Sequence, residues 1–192
     1  MSDTTAEQTD KPVVYGSGVP ANYDGVAILR IKSAVAKPSK SGNSMVECRI
    51  EVLAPEWIES PFDGKRYMLD TAELMAWFLL FDLDKNGKTL QAGLTWLNEV
   101  LLPGILQIEG AKFNPEAPLY HEEKNPSGVK LEGLVFEAPI HSEEKMEYRR
   151  LPGGEREVLK DYSGNPVKKG WGWKPLDVGT ILRRANADGT PF

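Results

Sequence analysis

Cysteine is almost absent from this chain of 192 residues: Cys48 stands alone, so no internal disulfide can form, and a reducing compartment such as the cytoplasm is the expected setting. Histidine is nearly as scarce. His121 and His141 lie in or beside polar loops without metal-ligand spacing, which leaves little for metal chemistry to use. Long apolar runs are missing too. The strongest, over 74–81, falls far short of a membrane span, and the first ten residues are polar and acidic, so neither a transmembrane segment nor a secretory signal is expected. Walker A, dinucleotide-binding and nucleophile-elbow motifs are absent, and Glu122-Glu123 and Glu143-Glu144 read as solvated surface. Neither an enzyme nor a bound cofactor is expected.

What the chain does have is unevenly spread charge. The net charge is −5, but residues 11–50 carry six Lys/Arg against two acids, residues 71–140 five against ten, and residues 141–192 ten against eight. Basic ends around an acidic middle suit a binding face with an acidic back. The most pointed basic feature is Ala36-Lys37-Pro38-Ser39-Lys40-Ser41-Gly42-Asn43-Ser44-Met45. Before it Ala27, Leu29 and Ile31 alternate with polar or outward positions, and after it Val46, Cys48, Ile50 and Val52 alternate with Glu47, Arg49 and Glu51, so the stretch reads as the turn of a β-hairpin. Its Pro, Ser, Gly and Asn serve backbone geometry, leaving Lys37 and Lys40 free for a polyanion.

Residues 1–24 look like a flexible arm, 25–178 like one domain, and 179–192 like a C-terminal tail. Within the domain, 65–69 reads as a third strand, and Asp70 with Glu73 as a capping pair opening a buried helix through Phe81. A second helix is expected over 92–102, stopped by Pro103-Gly104. Prolines at 115, 118 and 126 make 109–128 a long loop. Strands are then expected as a pair over 129–138 and 145–151, and as a ribbon from 158–162 with 170–174. This order is that of a mainly β domain: an OB-fold-like, five-stranded Greek-key barrel with helices between strands three and four and extended loops.

Several clusters offer cations beside rings, the combination a single nucleic-acid strand needs. Arg30 and Lys32 share a face of the first strand, Arg49 the outer face of the second, where Glu47 and Glu51 offer the plainer alternative of a solvated, self-paired surface. Lys65, Arg66 and Tyr67 put a ring beside two cations, with a buried core tyrosine as the alternative. Tyr148, Arg149 and Arg150 repeat the grouping near a turn. Lys168-Lys169-Gly170-Trp171-Gly172-Trp173 is the densest aromatic cluster, in which Trp171 and Trp173 either stack bases or seal a core or an interface. Asp82-Leu83-Asp84-Lys85-Asn86-Gly87 imitates half an EF-hand loop, but position twelve is Gly93, and a helix-ending turn explains it better.

Arg30-Ile31-Lys32, the 36–45 turn with its following strand, and Gly133-Leu134-Val135-Phe136 resemble the bacteriophage single-stranded DNA-binding proteins of OB-fold type, over about half of the chain. The resemblance implies sequence-tolerant coating of single strands in phage replication, recombination or repair, in the cytoplasm of a bacterial host cell. Many such proteins end in an acidic tail with a terminal Pro-Phe that docks on replication or recombination enzymes. Pro191 and Phe192 match, while Asp188 is the only acid nearby and Arg183-Arg184 lie just upstream. A non-enzymatic protein-interaction or accessory module built on the same barrel is the alternative, and duplex DNA is less expected because no recognition helix is evident.

Overall fold

The computed structural model describes Tyr15, Gly16 and residues 18–116 and 129–192. Most of the 1–24 arm and residues 117–128 of the expected long loop, His121 and Glu122-Glu123 among them, lie outside the described residues. The protein is mainly β.

Strands β1 (Asp24–Pro38) and β2 (Ser44–Ala54) form the expected hairpin, with Ile31 opposite Ile50 and Lys37 opposite Met45. Ala27, Leu29, Ile31, Val46, Cys48, Ile50 and Val52 are buried, as alternation requires. The turn between them is tight: the Ser39 and Gly42 amides donate to the Asn43 and Ser39 carbonyls, at 2.7 and 3.0 Å, and Gly42 has φ +83°. That geometry is a three-residue hairpin closed by a glycine in the left-handed region. Burial pushes the Cys48 thiol up to about 12.

A short ribbon of β3 (Trp57–Glu59) and β4 (Arg66–Met68) stands apart from the main sheet, so the expected third strand pairs with β3 rather than with β2. The place beside β2 belongs to β5 (Glu73–Leu79), where a helix was expected. Leu74, Ala76 and Phe78 are buried and Met75, Trp77 and Leu79 are half-buried on the opposite face, a strand whose two faces are both apolar. Such a run satisfies helical and extended patterns equally, and pairing with β2 decides it.

The second helix starts later, ends later and is wider than expected. One α-turn, α1 (Leu94–Trp96), runs into a π-helical stretch, Leu97–Ile105, that continues through Pro103 and Gly104 instead of stopping there. The Leu106 amide donates to the Leu101 carbonyl at 2.8 Å, the long i to i+5 spacing that absorbs a proline. Leu97, Leu101, Leu102 and Leu106 are buried with Phe78, Phe113 and Phe136 in one core; the Phe78 and Phe113 rings lie 5.6 Å apart. The EF-hand-like segment starts this helix: the Thr95 amide and hydroxyl both donate to the Asp82 carboxylate at 2.7 Å, while Asp84 accepts from the Asn86 and Lys88 amides in a turn. Asp82→Ala leaves the first-turn amide unpartnered, and a loss of about 1 kcal/mol is expected in urea unfolding.

The remaining strands differ in their pairing from the expected ones. β6 (Val135–Met146) is a single long strand, antiparallel to β1 from Arg30 opposite Val135 to Asp24 opposite His141. Beyond β1 it pairs with β9 (Lys168–Trp173), and the excursion between them holds the small hairpin β7 (Tyr148–Arg150) with β8 (Arg156–Val158). The main sheet runs β10–β6–β1–β2–β5 with β9 also on β6, and β10 is Arg183–Arg184 from the expected tail. Past β9, the Leu176 amide donates to the Met75 carbonyl at 2.8 Å in a parallel bridge at Ala76, so the segment after β9 reaches the edge strand β5. No helix among the described residues is long and apolar enough to cross a membrane.

Candidate functional site

The outer face of β1, β2 and β5 carries most of the expected first-hairpin cations, and carboxylates occupy them. Arg30 pairs with Glu51 at 2.6 Å, Lys32 with Glu73 at 2.9 Å, and Lys37 with Glu47. Glu47 also accepts from the Trp77 indole Nε1 at 2.9 Å. The Lys37 ammonium, then the Trp77 indole, hold the Glu47 carboxyl below the usual carboxylate range. Its contribution to stability is therefore present at neutral pH and fades only on acidification below that range. Arg49 and Lys40, by contrast, have no ion-pair partner among the described residues.

Two expected rings are not free to stack. Tyr67 is buried in the core with its hydroxyl donating to Asp63 at 2.9 Å, because β4 turns that face inward beside Ile58. Its neighbour Arg66 lies over the Trp57 ring at 4.0 Å, and Lys65 faces Asp63 at 3.9 Å. Trp173 packs against the core with its ring edge-on to Tyr23 at 5.8 Å. The Gly172 gap beside it is filled by the Lys145 alkyl chain, which a Cβ there would meet at 2.6 Å, so that close approach serves the fold. Trp171 is half-buried opposite Glu144, and Glu144 pairs with Lys168 at 3.0 Å.

The β7–β8 hairpin does gather expected residues. Tyr148, Arg149, Arg150 and Lys169 line one cavity of about 460 Å³ together with Arg156, which the sequence reading did not single out. Glu157 neutralises Arg149 through bonds of 2.8 and 2.6 Å, and Glu147 is the carboxylate on the wall. Arg150 stands directly opposite Arg156 in the antiparallel register, and neither has an ion pair among the described residues. Like charges facing each other across two strands are destabilising unless an anion lies between them.

The hairpin and the basic turn do not share one wall. The turn leaves β1 at Pro38, whereas β6 reaches β7 by passing Asp24, so the two lie off opposite ends of β1 in strand register. No family model, curated protein or solved structure matches this chain.

A second cavity, of about 420 Å³, opens beside the turn, lined by Trp77, Met45, Leu79, Leu90 and Leu176 together with the exposed Lys40 and Gln91 and the carboxylate Asp177. Trp77 escaped the sequence reading because a helix there would have hidden it. The C-terminal dipeptide is held rather than loose: Ala185 bridges to Pro191, the Arg184 guanidinium lies 3.5 Å from the Phe192 ring centre, and the Asn186 side chain donates to the Pro191 carbonyl at 3.1 Å.

Proposed function

We propose that this protein binds single-stranded DNA without sequence readout, through phosphate contacts and base stacking, on an OB-like Greek-key barrel. The strand order supports the barrel reading. Three antiparallel strands, β1, β2 and β5, precede the helical segment, two more, β6 and β9, follow it, and the chain after β9 returns beside β5 in parallel. The resemblance to phage single-stranded DNA-binding proteins supports a role in replication, recombination or repair.

One observation carries the function: the unneutralised Arg150–Arg156 pair beside Lys169 and the exposed ring of Tyr148. Cations set against each other at a structural cost, next to a ring with a free face, suit a polyanion whose bases stack. A free mononucleotide would leave most of the cluster unmatched, whereas successive phosphates engage each cation in turn.

The test is the anisotropy of a labelled oligothymidylate titrated with protein at several salt concentrations. Binding at low salt is expected, with log K falling against log[salt] at a slope near −2 if Arg150, Arg156 and Lys169 each neutralise a phosphate, at about 0.7 per contact. Unlabelled duplex should compete poorly. No binding at low salt would end the proposal.

A further inference from the structure

We infer that the Trp77 cavity holds a single nucleobase turned out of the bound strand, with Lys40 on the adjoining phosphate. This rests on the single-strand reading and adds a second contact region, off the other end of β1 from the β7–β8 cluster.

The cavity's chemistry selects the occupant. Its lining includes an indole, a thioether and three leucines, with Asp177 as the one carboxylate, a surface that rejects a bare anion and welcomes a planar, weakly polar ring. Its rim holds Lys40, which lacks the carboxylate partner that Lys37, Arg30 and Lys32 each have. A largely apolar lining with Lys40, a cation without an ion pair among the described residues, matches a ring tethered to an anionic backbone, a nucleotide within a strand, and Asp177 is there to accept from a base N–H. A purely apolar peptide side chain would leave Lys40 unused.

The parts are also fixed in place. The bond from the Trp77 Nε1 to Glu47 locks the indole, so no rotamer need be ordered when a base arrives. The turn carrying Lys40 is braced by the Asn43 amide donating to the Ser39 hydroxyl at 3.1 Å. Gln91 makes no side-chain hydrogen bond among the described residues, leaving an amide at the rim for a base edge. An amide both donates and accepts, so it serves any base and keeps the site sequence-tolerant.

Photocrosslinking tests this on the unaltered protein. An oligonucleotide of 5-iododeoxyuridine is bound at low salt, irradiated, and the adducts are mapped by peptide mass spectrometry, with adduct expected on Trp77. In parallel, Trp77→Leu should weaken oligothymidylate binding by about tenfold with the salt slope unchanged, since stacking and not phosphate contact is lost. Lys40→Ala should lower the slope by about 0.7. Normal binding with adducts only elsewhere, and Trp77→Leu within twofold of the native affinity, overturns the inference and leaves the single-strand reading intact. Failure of the native protein to bind any oligonucleotide removes both.

Discussion

Arg150→Glu is expected to make the protein more stable and a poorer ligand for single-stranded DNA at once. The substitution puts a carboxylate opposite Arg156, turning a cross-strand repulsion into an attraction. Opposite-charge pairs at such positions contribute roughly 0.2–1 kcal/mol, so the thermal midpoint should hold or rise slightly. Binding moves the other way. A hydrogen bond from a charged group is worth about 1.5–3 kcal/mol, and its loss corresponds to roughly ten- to a hundredfold in affinity before any repulsion from the new carboxylate is added. Arg150→Glu with Arg156→Glu should lose at least about 100-fold while returning stability to near the native value, because two carboxylates then oppose each other as the two arginines did. Anisotropy titrations and thermal melts on the four proteins of this cycle give both readings. A stability gain with unchanged affinity would make the pair ordinary surface and move the binding elsewhere.

What the sequence made legible follows from which interactions are local. The β1–β2 hairpin could be read because its turn residues and its alternation are both local, and Cys48 falls on the inner face as the alternation demands. The irregularity between Ile31 and Ser33 could not, since a shift in register leaves no mark in the spacing of one strand. The carboxylate partners of Arg30 and Lys37 lie on the neighbouring β2 and that of Lys32 one strand further, on β5, so only the pairing of β1, β2 and β5 shows that those cations are already neutralised. Arg156 sits between Glu155 and Glu157 and reads as one cation among acids. Its significance is its cross-strand neighbour Arg150, which no local pattern reveals. The pattern suggests two strands, over 129–138 and 145–151, where β6 runs as one from Val135 to Met146 with Pro139 opposite Val26.

Phe78→Ala should cost about 3–5 kcal/mol, the largest loss of stability from any single truncation argued for this fold. The ring is 1 % exposed, tilted against Phe113 in the core, on a strand bonded to β2 along its length. Trp77 is larger and adjacent, yet it is half-buried on the opposite face, where its ring lines an open cavity. Removing it leaves no sealed void, so Trp77→Leu should cost less than half as much. Urea unfolding distinguishes them through the midpoint at constant m-value. A buried helix over 70–81, apolar nearly all round, would place both rings in the core and make the two losses comparable. The strand makes them unequal by setting successive residues on opposite faces. That inequality is also what frees Trp77 for a ligand: of these two adjacent rings, the one that contributes less to folding is the one at the candidate base-binding cavity.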